Sequence, residues 1–367
     1  MLNFPFSLIR CAALVLASFT LRADDLAALS DEFDNAGSLN DWSRLYQTEG
    51  WVADQLETWD INTTRSGHMR LMPYTSSWFG DLRGVLAYKE VTGDFIVTTR
   101  MEIGSRSDIT QAPSRLYSLG GLFAHTPRGI SSAAPTPYTT EAVWPPEANG
   151  SDWQPGTDNY VFLSYGSAGN PGTWQYEVKT TVNGTSTLYF DNSGVPDSNV
   201  VELQMVRVGD TVVVMRRHPG GNWIVENRYP NPAHSLPVLG DTMQVGITTY
   251  TDWNNIENEY WGGGNPETQF LHNYTVLDGP EMQPDLIVDV DYMRFNRPNE
   301  GLTEELLQAL GTSFDPATGQ SNFFELPGDG AGLYLGDNVA VVPEPSAFAL
   351  LLGAVSLLVA GRRRRNR

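Results

Sequence analysis

One cysteine, Cys11, is the whole thiol content of 367 residues. No intrachain disulfide can form, so a folded body must be held by its apolar core, which a chain of this length can supply. Basic charge is also scarce, with 23 Lys and Arg against 43 Asp and Glu and a formal net charge of −20. An acidic surface of that kind repels nucleic acid and anionic lipid, and no nucleic-acid partner is expected. Its plainest role is solubility, and it can also hold divalent cations weakly. The familiar catalytic signatures are missing too: no G-x-S-x-G elbow, no P-loop and no EF-hand loop. His68, His125, His218, His234 and His272 are scattered without metal-ligand spacing. His125 follows a strand-like run, where a hydrogen-bonded structural histidine is the plainer expectation.

The long apolar runs are confined to the two ends. Arg10 precedes Cys11 to Leu21, and Ala23 offers a small residue for cleavage before Asp24, so residues 1–23 read as a secretory signal peptide. At the other end Pro343-Glu344-Pro345 precedes an unbroken small and apolar run, Ser346 to Gly361. Sixteen helical residues rise about 24 Å, enough to enter a hydrocarbon core of about 30 Å if the helix stays upright or the lipid thins. Arg362, Arg363, Arg364 and Arg365 follow, and such a cluster stays on the cytoplasmic side. This order resembles the bacterial PEP-CTERM sorting signal over residues 343–367. The resemblance implies recognition and cleavage at Pro-Glu-Pro by an exosortase-type sorting enzyme. It also implies transient anchoring in the inner membrane, then delivery to the cell surface or extracellular matrix. An ordinary tail anchor is the alternative. Removing both signals takes away seven arginines and at most Glu344. Sixteen Lys and Arg then face 42 or 43 Asp and Glu, a net of −26 or −27.

Between the ends, helical periodicity is nearly absent and short strand-like runs are broken by Gly, Pro and Asn. Asp94 to Ile103 alternates, with Phe95, Val97, Thr99, Met101 and Ile103 on one face and Ile96, Thr98, Arg100 and Glu102 on the other. That predicts one buried and one mostly wet face. Tyr160 to Tyr165, Trp174 to Val182 and Thr185 to Phe190 follow, the last two joined by Asn183-Gly184, a type I′ hairpin signal. Val200 to Val208 and Thr211 to Arg217 flank Gly209-Asp210, which suits a type II′ turn. Asn222 to Glu226, Met243 to Tyr250, Thr268 to Thr275 and Leu286 to Phe295 complete about a dozen strands with no crossover helix, which argues for an all-β sandwich of two sheets. The stretches 131–158 and 252–266 read as long loops, and loops of that length are often functional. Near 303 a short helix is expected, capped by Thr303, with Glu304 and Glu305 at its positive end and Gly311 as its stop. The predicted division is thus signal 1–23, sandwich 24–298, short helix and spacer 299–342, and sorting signal 343–367.

The sandwich resembles the concanavalin A-like lectin and glucanase family. Asp31-Glu32-Phe33-Asp34 with Trp42 is similar to that family's opening D-x-F-D strand and core tryptophan. Ser66 to Leu71 is similar to its G-x-L-x-L strand, Gly93 to Ile103 to its next long strand, and Val288 to Phe295 to its closing V-D-Y-V-R-V strand. The resemblance spans residues 30–297 and implies a jelly roll of two antiparallel sheets. It also implies a structural calcium held by Asp291, Gly67 and the neighbourhood of Phe33, with oxygen ligands suited to that ion. If no ion sits there, Asp291 hydrogen-bonds its neighbours.

The chemistry departs from the family. Glucanases carry E-x-D-x-E or E-x-D-x-x-E, which sends alternate acids into one cleft, and retaining hydrolysis needs two carboxylates about 5 Å apart. Neither spacing occurs here; the corresponding region offers Glu177 alone. The other alternating acids are Glu32/Asp34 and Asp289/Asp291 in the terminal strands, and Glu257/Glu259 in a loop. No catalytic residue is assigned. What is abundant is aromatic: ten Trp and fifteen Tyr. Trp144, Trp153, Trp253 and Trp261 fall in the loop stretches and form a candidate sugar platform, unless they only pin their own loops. Trp42, Trp174 and Trp223 read as core or sheet-face residues. Two readings follow: an exported, non-catalytic module binding extracellular polysaccharide, or a glycoside hydrolase or lyase drawing on Glu177, Glu102 or Asp252. A spacer without ligand is a third.

Overall fold

The computed structural model describes residues 25–310 apart from 50–53, 81, 83, 129–157, 192–194, 232–234, 236, 238, 261–278 and 299–300, together with 314–315, 320–321 and 325–326. In chain order the strands are β1 (Ser43–Arg44), β2 (Leu56–Ile61), β3 (Met69–Pro73), β4 (Val85–Thr92), β5 (Phe95–Gly104), β6 (Ser118–His125), β7 (Tyr160–Ser167), β8 (Gln175–Val182), β9 (Thr185–Asp191), β10 (Val200–Val208), β11 (Thr211–Arg217), β12 (Trp223–Tyr229), β13 (Thr242–Tyr250) and β14 (Ile287–Asn296). Three two-residue strands follow: β15 (Phe314–Asp315), β16 (Gln320–Ser321) and β17 (Glu325–Leu326). The helices are α1 (Leu45–Thr48), α2 (Trp253–Tyr260) and α3 (Glu304–Ala309). One antiparallel sheet of seven strands runs β1-β4-β13-β6-β7-β8-β9, and one of eight runs β17-β12-β11-β10-β5-β14-β3-β2. This is the two-sheet jelly-roll sandwich expected from the sequence.

The local signals explain the hairpins. Asn183 and Gly184 have φ of 48° and 75°, both positive as a type I′ turn requires, and Gly209 has φ of 57° at the first corner of the β10–β11 hairpin. The two ends of the family resemblance meet in one sheet. β14 lies between β3 and β5, and Asp31 bridges Met293, so the opening strand shrinks to a single bridge. Phe33 and Trp42 are buried in the core, and the Trp42 Nε1–H donates to Asp31 Oδ2 at 3.0 Å.

The core lies between the sheets. Val97, Met101 and Ile103 from the eight-stranded sheet meet Leu122, Leu163 and Val178 from the seven-stranded one, all buried. Each such side chain contributes roughly 1.5–3 kcal/mol by leaving water, which is how a chain without disulfides holds together.

Three expectations change. The run Val85–Thr92, unassigned from the sequence, forms β4 in the seven-stranded sheet, between the short edge strand β1 and β13. Residues 253–260, read as part of a loop, form α2, whose first turn is closed by Asn255 N–H and Ile256 N–H donating to the Asp252 carbonyl. The outward face of β5 is wet only at Arg100 and Glu102. Ile96 is covered by Leu302 and Leu307 from the α3 segment, and Thr98 accepts a hydrogen bond from Gln204. Helix α3 has the expected Thr303 cap, and Glu304 reaches back to the β10–β11 turn, where Asp210 N–H and Thr211 Oγ1 donate to it. The predicted strand at 268–275 lies outside the described residues, as do both terminal signals. No helix among the described residues is long and apolar enough to cross a membrane.

Candidate functional site

The outer face of the seven-stranded sheet carries the most unusual chemistry in the molecule. Alternation along β8 sends Tyr176 and Val178 into the core and Glu177 and Lys179 outward. The pairing registers place two rows across the centre of this face. One is Leu86, Thr248, Gly121, Ser164, Glu177, Phe190; the other is Tyr88, Gly246, Phe123, Phe162, Lys179, Leu188. Glu177 is the one carboxylate in either row.

Outward here does not mean wet. The segment from Tyr74 to Gly80 crosses the face as a strap. Its Trp78 is fully buried, 4.5 Å from Phe123 and 5.2 Å from Tyr160 between ring centroids. Gly84 makes room for that ring, since a Cβ there would lie 2.5 Å from Trp78 Cδ1. Beneath the strap the Lys179 ammonium sits 2.8 Å from Glu177 Oε1 and donates to the Trp78 carbonyl at 2.7 Å. The rings of Phe162, Phe79 and Tyr250 surround it at 4.9, 5.7 and 5.7 Å. Tyr250 OH donates to Glu177 Oε2 at 2.9 Å and shares a 2.9 Å hydrogen bond with Ser164. Burial pushes the Lys179 ammonium down, with Glu177 opposing, and pushes the Tyr250 hydroxyl well up. A buried charge survives only when paired and hydrogen-bonded, and these partners supply that.

A second buried network lies one row further on. His125 contacts Gln244 Oε1 through Nδ1 at 2.7 Å and Asp158 Oδ1 through Nε2 at 2.8 Å. Arg128 reaches both Asp158, at 3.7 Å, and Glu49. His125 is thus the hydrogen-bonded structural histidine anticipated.

At one rim the face opens. Phe79, Trp253, Tyr117 and Phe190 are each half-buried and form a row. Trp253 lies 5.7 Å from Phe79 and 5.6 Å from Tyr117, and Tyr117 lies 5.6 Å from Phe190. Asp252 positions Trp253. At φ of 70° it turns the chain, and its buried carboxylate accepts from Thr75 Oγ1, Asn255 Nδ2 and Gln283 N–H. The Tyr117 hydroxyl is pushed up to about 12, first by burial and then by the negative charges of Glu177 and Glu257. Glu257, on α2, is exposed. The rim is therefore aromatic in surface and carries an exposed carboxylate.

Of the four candidate tryptophans, Trp253 stands in this row, on a helix rather than a loop; Trp144, Trp153 and Trp261 lie outside the described residues. Sequence reasoning missed Phe79, Tyr117 and Phe190. Trp78-Phe79-Gly80 offered an aromatic pair beside a turn residue, but nothing that tied it to Trp253. The candidate acids do not converge. Glu102 is on the other sheet, held by Arg65 at 2.7 and 2.9 Å, and Asp252 spends its oxygens on Thr75, Asn255 and Gln283.

Of the residues that the family resemblance offered for calcium, Gly67 and the Phe33 region are tied together. Asn62 Oδ1 accepts from Gly67 N–H and Asn62 Nδ2 donates to the Asp34 carbonyl, which ties the Gly67 turn to the Phe33 region. Phe33 N–H donates to Asp31. Asp291, at the bulge of β14, faces the Arg100 guanidinium at 3.0 Å. Among the described residues no group of three or more His, Cys, Asp or Glu gathers to hold a metal. Trp42, Trp174 and Trp223 are buried, as expected.

No protein-family model matches this chain, and no curated protein matches it in sequence. Solved structures do match. The lectin UEA-II complexed with galactose is 13% identical with a TM-score of 0.37, covering 75% of this chain and 99% of that one. The GH43 protein BlXynB from Bacillus licheniformis is 14% identical with a TM-score of 0.40, covering 73% of this chain and 39% of that one. A functionally unknown protein from Saccharomyces cerevisiae is 14% identical with a TM-score of 0.39, covering 67% and 97%. These likenesses concern the fold and go no further.

Proposed function

We propose that the chain is an exported, non-catalytic module that binds extracellular polysaccharide. The single observation that carries this reading is the row Phe79, Trp253, Tyr117 and Phe190, partly exposed at the rim of the sheet face. Aromatic rings of this kind present apolar surface with a polar handle at Tyr and Trp, which suits the apolar face of a sugar ring and its hydroxyls. Glu177 is locked to Lys179 and Tyr250 under the strap, which suits structure rather than acid–base work. The sorting motif Pro343, Glu344, Pro345 with Arg362 to Arg365 supports delivery by an exosortase-type enzyme to the cell surface or matrix, after transient anchoring in the inner membrane.

A second reading keeps one foothold. Glu177 and Glu257 both act electrostatically on Tyr117, so two carboxylates bear on this rim. A glycoside hydrolase or lyase would draw on that pair, with Glu257 in the place that sequence reasoning gave to Glu102 or Asp252.

The full-length protein on a polysaccharide array, with reducing-end release followed in parallel, separates the two. Binding without release, lost in Trp253→Ala, is the expected result. Release of reducing ends, or new unsaturated ends, that disappears in Glu257→Gln would overturn the non-catalytic reading.

A further inference from the structure

The rim has a charge preference as well as an aromatic surface. Glu257 is exposed on α2 one turn after Trp253, its charge acts on Tyr117, and among the described residues no basic side chain pairs with it. Beneath the row, the Lys179 charge is matched by Glu177, so the pair adds no net cation. Around the whole, the chain between its two signals carries a net −26 or −27 from 16 basic and 42 or 43 acidic residues. Uronate and sulfated polymers are repelled by such a field, and a cationic polymer is drawn in.

The same face already shows that its rings accept an ammonium. Lys179 Nζ lies over Phe162 at 4.9 Å and over Phe79 and Tyr250 at 5.7 Å. Phe79 belongs both to that internal arrangement and to the row. Trp253 meets Phe79 and Tyr117 edge-to-face, at 65° and 60°, and a ring face left open in such a row offers the same attraction to a cation arriving from solvent. We propose that the aromatic row with Glu257 recognises a polymer of amino sugar whose amino groups are free and protonated. The inference rests on the polysaccharide-binding reading and names the class of sugar that site takes. The pyranose ring lies on the aromatic row, and its ammonium faces Glu257.

Titration calorimetry of the full-length protein tests this with four probes: a glucosamine hexamer, an N-acetylglucosamine hexamer, cellohexaose and a galacturonate hexamer. The free-amine hexamer is expected to bind about tenfold tighter than its acetylated counterpart, from one cation–π contact and one ion pair together. Glu257→Gln should weaken the free-amine hexamer about threefold and leave the neutral hexamers unchanged. Glu32→Gln, an exposed acid on the other sheet, should change neither. Trp253→Ala should remove binding of every probe, and Trp253→Phe, which keeps a ring on α2, should recover most of it. Equal affinity for the acetylated or neutral hexamers overturns this inference and leaves the polysaccharide-binding reading standing. Equal losses in Glu257→Gln and Glu32→Gln, with Trp253→Ala unaffected, overturn it as a general attraction between opposite charges. Silence with all four probes and on the array overturns both.

Discussion

The two outward faces of the sandwich solve the same problem in opposite ways. Beyond the apolar patch that α3 covers, the eight-stranded sheet faces out with a ladder of ion pairs. Asp289, fully buried, is held by Arg65 and Arg70 at 2.7 Å; Arg65 also clasps Glu102; Arg294 holds Glu32 at 2.7 Å and stacks on Tyr292. The seven-stranded sheet instead faces a lid of aromatic rings over one buried Glu–Lys pair. A ladder near water needs no cover, since partly exposed charges keep their hydration. An apolar face does need cover, and the strap around Trp78 supplies it. The difference teaches where a ligand can act. The ladder is saturated by its own partners, whereas the aromatic face ends in rings that are partly exposed.

The sharpest way to break the comparison is to cut one partner from the buried pair. Lys179→Met leaves Glu177 charged and alone under the strap and should cost about 3–5 kcal/mol in denaturant unfolding. The double variant Lys179→Met with Glu177→Leu should recover most of that loss. If the single variant costs under about 1 kcal/mol, the face is wetter than it looks.

On the other sheet, Asp289→Asn keeps the shape but unpairs two arginines that are already partly hydrated. A loss of about 1–3 kcal/mol is expected, smaller than at Lys179. A larger loss would reverse the ranking of the two faces.

Between the sheets, His218 supplies a pH test. Burial, with the Arg216 charge adding to it, pushes the imidazole down from 6.5 to about 4, against the pull of the Val200 carbonyl. Nδ1–H donates to Val200 at 2.9 Å and Nε2 accepts from Tyr176 OH at 2.7 Å, so the neutral ring is the one that fits. As pH falls from about 6.5 to about 4 the unfolded chain takes up a proton that the folded chain refuses. Stability should therefore decline across that window and level off below it. Unfolding midpoints at several pH values should show the slope, and His218→Gln should flatten it.

The exposed pair Arg294–Glu32 should matter least among the ion pairs. Glu32→Gln is expected to change stability by under about 0.5 kcal/mol, and less at high salt. Calcium should matter less still. With Asp291 facing Arg100, neither calcium nor a chelator should move the thermal midpoint. A stabilising shift on adding calcium, lost in Asp291→Asn, would show that Arg100 gives way to the ion.

How much of this was legible can be judged at particular residues. The β8–β9 and β10–β11 hairpins were readable because Asn183-Gly184 and Gly209-Asp210 encode positive φ locally. The inward face of β5 was readable because period-two alternation survives wherever one face is buried. β4 escaped notice because Val85 to Tyr88 is buried on both faces and shows no alternation. Helix α2 escaped because its start depends on Asp252, fixed by Thr75 and Gln283 from distant segments. Trp253 was singled out, yet its neighbours in the row, Phe79, Tyr117 and Phe190, come from three other elements.

By itself the sequence determined the sandwich, the acidic balance, the absence of disulfides and of a paired-acid motif, since each depends on local pattern or on composition. Only the tertiary structure decided that Glu177 is bound to Lys179, that Asp291 faces Arg100, and that four separated rings stand in one row. The physical reason is the same in each case. Pairing across strands and burial beneath the strap set each group's partner and dielectric, and those are properties of neighbours far apart along the chain.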